Sequence, residues 1–456
     1  MRWPVIAVPL LSAVVGWAQP SAQWAVSGEF RLRAEGFQTP APAADDRRDY
    51  VFTSARLRLN LDLASGPWRF HAAGQGVGVR ELPADAAFGI GRSYYLASGG
   101  DVTPTAAGLL ELSATFSRRD STVTAGRQPY ADGFETRTGL ERLDDLKRAR
   151  LAERLVGNWE WVVVGRRFDG AVAAVERERT NVSVFALRVL SGGINTASPL
   201  ERLEAVDLFG GTATIKRGAV LRRTEVRMFE VAYRDSRPAT AAASGALALH
   251  TFGVSLFGGD ETNDWLGWVA VQRGEWGRAS QRAWAAIGEV GHQWREATAR
   301  PWLRLGAAYA SGDATAAGDH RTFFNLVPTN HKWYGAMDYV AFSNLATVYA
   351  HFILAPTSRW QVELAAHHFR LAERRDGWVL GSGAFDNASL GYQQRRNFSG
   401  GSHLGDELDL TGRLQATPKL TLELGGGRFF GGEVAEASLP AAADGHFLYA
   451  QLTWRF

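Results

Sequence analysis

The sequence predicts an all-β fold, a transmembrane antiparallel β-barrel of about 18 strands, and three observations carry that prediction. The first is the end of the chain, His446–Phe456. Phe456, Trp454, Leu452, Ala450 and Leu448 fall on one face, and Arg455, Thr453, Gln451 and Tyr449 on the other. A period of two means a strand whose faces meet different solvents. The second is the beginning. Met1-Arg2, the mostly apolar run Val5–Val15 and the small residues of Gly16-Trp17-Ala18 read as a secretory signal peptide over residues 1–18. That run is too short to span a bilayer, and no later stretch supplies the ~18 consecutive apolar residues a membrane helix needs. The third is the spacing of the connections. Short and long ones alternate along the chain, as short periplasmic turns and long extracellular loops do in a bacterial barrel.

Taken in order, the elements repeat one pattern. Val26, Gly28, Phe30, Leu32 and Ala34 alternate with Glu29, Arg31, Arg33 and Glu35. Ala55, Leu57, Leu59, Leu61 and Leu63 alternate with Arg56, Arg58, Asn60 and Asp62, and Ser65-Gly66-Pro67 turns the chain into a third strand. The same period places strands near 24–36, 53–64, 68–79, 108–118, 121–128, 166–176, 180–190, 205–216 and 220–234. In the second half they fall near 246–258, 264–273, 281–294, 300–311, 345–355, 359–372, 404–416, 419–430 and 446–456. Residues 387–397 have a poor apolar face and are assigned to a loop, which keeps the count even. The long loops include 80–107, 129–165, 312–344 and 373–403, and one barrel domain covers 19–456.

Composition agrees. The chain has 16 Trp, 24 Phe and 11 Tyr, enough to furnish aromatic girdles at both membrane interfaces. The absence of cysteine excludes a disulfide scaffold and Cys-ligated metal. Net charge is only +3, but just four of the 50 basic residues are Lys (147, 216, 332 and 419). Codon usage in a GC-rich genome explains that bias; so does a need for guanidinium forks, which grip carboxylates and phosphates at two points. Arg on the lipid face at mid-bilayer costs ~2–4 kcal/mol, so polar faces are expected to line the lumen. Arg56, Arg58, Asp62, Glu363, His367, Asp409 and Arg413 are therefore pore-lining candidates. They either filter solutes or merely pair off across a solvated wall, and the sequence leaves both open.

One segment is more specific. Gly126-Arg127-Gln128 ends a strand; Arg154-Leu155-Val156-Gly157, Trp159, Trp161 and Gly165-Arg166-Arg167-Phe168-Asp169-Gly170 follow a long loop. Together with Pro328–Asp338 and Leu404–Leu410, this order resembles the alginate-export family of outer-membrane porins. The resemblance implies an eighteen-stranded barrel with an Arg-rich constriction that passively passes an anionic, alginate-like polysaccharide or oligosaccharide. It makes Arg127, Arg154, Arg166, Arg167 and Asp169 selectivity candidates, with Arg166 and Asp169 also readable as a bracing pair. The expected partners are an acidic polysaccharide or small anionic solute, the lipid bilayer with its lipopolysaccharide, and periplasmic export components; nothing points to nucleic acid, and the chain is expected to act as a monomer. A general or small-solute diffusion porin is the alternative.

The chain departs from that family pattern in the link between the first two motifs. Leu140–Leu155 has helical character: Leu140, Leu143, Leu146, Leu151 and Leu155 fall on a stripe, and Asp144 and Arg148 stand four apart. A helix is expected in loop 129–165, folding toward the pore mouth or lying as a lid outside it. An enzyme is disfavoured, because no Ser neighbours a His in a recognisable pattern and His367 and His368 point to opposite faces of a strand. The first strand begins almost at the cleavage site, which disfavours an energy-coupled receptor with an N-terminal plug. No cofactor is implied, and Asp45, Asp46 and Asp49 read as a solvated acidic turn rather than a calcium site.

Overall fold

The structure, a computed structural model, describes residues 22–197, 199–237, 245–315, 318–382 and 392–456. The expected leader, 1–18, and residues 387–391 lie outside the described residues. The chain forms β1 (Gln23–Gln38), β2 (Asp49–Ser65), β3 (Trp68–Arg80), β4 (Thr105–Arg118), β5 (Ser121–Gln128), β6 (Phe168–Glu176) and β7 (Thr180–Leu190). It continues through β8 (Arg202–Ile215), β9 (Thr224–Asp235), β10 (Leu247–Gly259), β11 (Asn263–Trp276), β12 (Ala279–Gln293) and β13 (Trp302–Ala310). Then come β14 (Leu345–Thr357), β15 (Trp360–Leu371), two short strands β16 (Trp378–Val379) and β17 (Gln394–Arg395), β18 (His403–Thr417), β19 (Leu420–Gly431) and β20 (Gly445–Arg455). Every strand expected from the sequence is present. The short pair β16 and β17 hydrogen-bond to each other outside the main sheet.

The other eighteen strands form one antiparallel sheet in which each pairs with the next. β15 pairs with β18 across the long loop, and β20 returns to β1 through Phe30↔Trp454, Leu32↔Leu452 and Ala34↔Ala450. Closure satisfies every strand edge, a necessity where hydrocarbon offers no hydrogen-bond partners. The last residue takes part: Gly28 N donates to the Phe456 carbonyl at 2.9 Å and Phe456 N to that of Gly28 at 3.0 Å. The Phe456 ring lies over Gly28, where a Cβ would fall 2.3 Å from the ring and oblige it to move aside.

Alternation sorts the side chains as the sequence implies. Leu57, Leu59, Leu61, Leu364, Leu408, Leu410 and Leu448 are exposed on the outer face. Trp68, Phe70, Trp360, Trp454 and Phe456 are exposed on the same face at the end that carries the short turns, where an aromatic girdle is expected. The alternation of loop lengths is not complete. On the long-loop end β11 and β12 are joined by residues 277–278 alone, where Gly277 adopts φ 59°; on the short-turn end β8 and β9 are separated by 216–223.

The hydrophobic core lies inside the barrel. Loops 129–167 and 311–344 fold into the lumen and meet at a Val156↔Val327 bridge. Leu143, Leu155, Trp159, Phe323, Phe324, Leu326, Trp333 and Phe342 are all buried there. Helices α1 (Ile90–Ala97), α2 (Glu141–Arg150) and α3 (Glu433–Ser438) sit on the long-loop side. Apolar loop residues and a polar barrel interior are reconciled because the loops pack on one another and meet the wall through charge.

Candidate substrate path through the barrel

Helix α2 falls within the stretch expected to be helical, and Leu143, Leu146, Leu151 and Leu155 are buried. The expected Asp144–Arg148 pair does not form. Asp144 Oδ1 instead accepts from Thr138 N and Oγ1 at 2.6 and 2.8 Å, while Arg148 pairs with Asp145 at 2.8 Å. The reason is local: Leu140 provides no side-chain cap, so a carboxylate in the first turn is more useful closing the helix entrance.

Loop 129–167 is held by two carboxylate hubs of opposite construction. At one, Glu160 belongs to the loop: Arg56 and Arg58 of the wall reach its Oε2 at 3.2 and 2.6 Å, and Arg167 its Oε1 at 2.8 Å. The enclosing barrel interior pushes the Glu160 carboxyl up even though its side chain is 44% open to the lumen cavity, but Arg58, Arg167 and Arg56 together hold it well below the usual range. Arg31 donates to the carbonyls of Glu160 and Val162, and Arg33 to that of Trp161, so the loop backbone is gripped as well. At the other hub the carboxylate belongs to the wall. Glu289 on β12 accepts from Arg150 and Arg154 of the loop at 2.9 Å each, from Arg304 at 2.8 Å and from the Tyr349 hydroxyl at 2.7 Å. Further ties run from Lys147 to Glu225 (2.5 Å), from Arg142 to Asp264 (2.7 Å) and from Glu135 to Arg227 (2.7 Å). The loop thus crosses the lumen from β9–β13 to β1–β3.

The residues singled out in the sequence separate into three groups. Arg56, Arg58, Arg154 and Arg167 face the interior but are committed to the hubs, Arg154 also lying over the Trp333 ring at 3.8 Å. Arg166 is interior too; it donates to the carbonyls of Gly157, Val327 and Pro328, and burial lowers its pKa to about 10. It does not pair with Asp169. Arg127 and Asp169 require a correction. Arg127 is in register with Leu112, whose side chain is 55% exposed on the outer face, so Arg127 shares that outward face. There it pairs with Asp169 at 2.9 Å, and Asp169 with Arg202 at 2.6 Å. The motif order located the loop, but strand parity turned its two flanking residues away from the lumen.

The remaining candidates line the lumen. Asp62 and Glu363 pair with His71 (2.8 Å) and His351 (2.7 Å). Asp409 accepts from Ala336 N at 3.3 Å, and His367 is buried beside His351. Arg413 is exposed to the interior and makes no hydrogen bond or ion pair with another described residue. It lines a cavity of about 700 Å³ with Arg33, Arg148, Lys332, Trp161 and Glu423. A second cavity, about 410 Å³, shares His331 and Lys332 with the first and is bordered by Arg150, Arg304, Glu363 and Asp409. Trp161 is sandwiched, with the His331 ring stacked at 3.8 Å on one side and the Arg33 guanidinium at 3.6 Å over its ring. Sequence reasoning missed Glu160 and Glu289. Glu160 stands between Trp159 and Trp161 of the quoted motif, and Glu289 is an inward acid among Ala283, Ala285 and Ile287, but neither position names its partners.

Comparison with known proteins agrees with this architecture. The fold matches OpdK of Pseudomonas aeruginosa, with 10% identity and a TM-score of 0.56 over 95% of this chain and 99% of that one. It also matches P. aeruginosa OccK9 (OpdG), at 11% identity and TM-score 0.58 over 94% and 98%, and Acinetobacter baumannii OccAB3, at 8% and 0.56 over 94% and 99%. No curated protein matches by sequence. The family model described as alginate export matches residues 101–448. The protein is a bacterial outer-membrane channel rather than an enzyme, and it belongs to the alginate-export family.

Proposed function

We propose that this channel passively passes an anionic oligo- or polysaccharide, gripped where the loop leaves the first cavity open. The observation that carries the reading is the convergence of cations from four separate elements on one space: Arg33 from β1, Arg148 from α2, Lys332 from loop 311–344 and Arg413 from β18. Arg413 is the member with no hydrogen bond or ion pair among the described residues, although Glu423 stands opposite it in the sheet, and such a guanidinium is the one able to exchange a counter-ion for a sugar carboxylate. Weak grips at several places let a chain advance, whereas one tight site would trap it.

The test is planar-bilayer conductance of the purified protein, with and without uronate oligomers. Anion preference, a block that strengthens from mono- to oligo-uronate, and weakening of both in Arg413→Ala are expected. Equal block by the monomer, or by a neutral oligosaccharide, overturns the polysaccharide reading. A second reading, a small anionic solute, draws on the modest size of the two cavities, about 700 and 410 Å³. One barrel of this fold, OpdK, is described with vanillate. Block by the mono-uronate alone would favour it.

A further inference from the structure

The lumen does not use every polar cluster. On the outer face, near the long-loop rim, stand His368 of β15 and His403 and Asp406 of β18. His368 Nδ1 lies 2.7 Å from Asp406 Oδ1, and His403 Nε2 lies 3.0 Å from Asp406 Oδ2. One ligand atom from each of the three falls within 4.8 Å of the others. The side chains are 41%, 37% and 45% exposed, so an ion can reach them. Their neighbours on the same face are apolar: Val348 is in register with His368 and is 57% exposed, and Leu408, two residues from Asp406, is 47% exposed. The cluster therefore borders the apolar belt, where polar side chains without a partner are costly.

The backbone is shaped to bring these groups together. The β15–β18 register runs Phe369↔Gly405 and then Arg370↔His403, so Leu404 is an extra residue, a β-bulge. Without the bulge, Leu404 would share the outer face with Asp406; with it, Leu404 is fully buried and His403 takes the outer position. His403 is also pinned from behind, because Glu433 of α3 accepts from Ser402 N at 2.7 Å and from His403 N at 3.1 Å.

We propose that His368, His403 and Asp406 bind one divalent transition-metal ion of the Zn²⁺ or Ni²⁺ class, clipping together the strands that flank loop 372–402. Two imidazoles and a carboxylate are the donor set that such borderline cations take, with positions left for water or a lipid phosphate; Ca²⁺ and Mg²⁺ prefer all-oxygen sites. The clip would tie β15 to β18 at the bulge, where the regular pairing of the two strands is interrupted just before the chain leaves the sheet for loop 372–402. Asp406 lies within hydrogen-bond distance of both rings, so the three ligand side chains already converge on one point.

The experiment is equilibrium dialysis of tag-free, chelator-stripped protein in detergent against Zn²⁺, with Ca²⁺ and Mg²⁺ in parallel. One Zn²⁺ per chain is expected, lost in His368→Ala, His403→Ala and Asp406→Asn and kept in His446→Ala. Co²⁺ should give ligand-field bands in the wild type that disappear in the same three variants; with no cysteine in the chain, only nitrogen and oxygen ligands contribute. Zn²⁺ should also slow proteolysis within 372–402 in the wild type alone, a readout independent of how well each variant folds. No stoichiometric binding, binding unchanged in the three variants, or Ca²⁺ or Mg²⁺ bound as tightly as Zn²⁺ would each overturn the proposal.

Discussion

The two hubs of loop 129–167 solve one problem in opposite ways. At Glu289 the wall contributes the acid and the loop two of the guanidiniums; at Glu160 the loop contributes the acid and the wall two of them. Their burial differs as well. The Glu289 side chain is 1% exposed, that of Glu160 44%. A buried acid surrounded by three cations is a structural clamp, because breaking it strands charges in a medium that cannot solvate them. An acid open to the lumen cavity instead offsets part of the positive charge of Arg56, Arg58 and Arg167 where water can also reach it. The inversion also crosses the loop's charges with the wall's, so one register of loop against barrel satisfies both ends.

Removing the loop's helical part should have the largest effect. Deleting 138–152 removes Arg142, Lys147 and Arg150 and leaves Asp264, Glu225 and Glu289 facing the lumen. Single-channel conductance should rise and the reversal potential shift toward cations; unchanged current would show that this stretch does not narrow the path. Glu289→Ala comes next. It removes the ion-pair partner of Arg150 and Arg154, while Arg304 keeps Asp264, at a cost of about 3–5 kcal/mol, visible as a lowered melting temperature in detergent.

Glu160→Gln should be milder, about 1–3 kcal/mol, because water reaches the site. Its mark is selectivity: Arg56, Arg58 and Arg167 lose a counter-charge, so anion preference should rise while the melting temperature falls less than for Glu289→Ala. Equal destabilisation would erase the distinction between clamp and charge sink. The pH behaviour follows from the same group. The folded-state pKa of Glu160 is depressed well below its ordinary value of 4.5. Its contribution is therefore complete above about pH 4.5 and is lost only as pH falls through the depressed value. Glu160 itself therefore adds no pH dependence between pH 8 and 5, and the difference in reversal potential between the wild type and Glu160→Gln should stay constant across that window. Arg127→Ala should do least, leaving conductance and selectivity unchanged because the side chain is on the outer face; a change in either would place it in the path after all.

The barrel was legible because its rule is local. A period of two decides which side of a strand meets lipid, and hydrocarbon enforces that rule strongly enough to mark all eighteen barrel strands. The site was legible only in part. Arg56, Arg58 and Arg413 could be placed inside by parity within their own strands. Arg127 was placed by motif, and parity through Val123, Ala125 and Arg127 turns it outward beside Leu112.

The sequence by itself determined the strands, their lipid and lumen faces and the helix in loop 129–165, which depend on residues within one strand or one turn of each other, and the order of its motifs carried the family resemblance. Only the tertiary structure decided that Glu160 meets Arg56 and Arg58 about a hundred residues away in the chain, that Glu289 collects three guanidiniums, and that Arg413 has none of their carboxylates to pair with. Those outcomes depend on where two long loops come to rest inside the barrel. No periodicity encodes that, because it is set by the joint burial of Leu143, Leu155, Trp159, Phe324 and Trp333 and by the matching of charges from elements far apart in the chain.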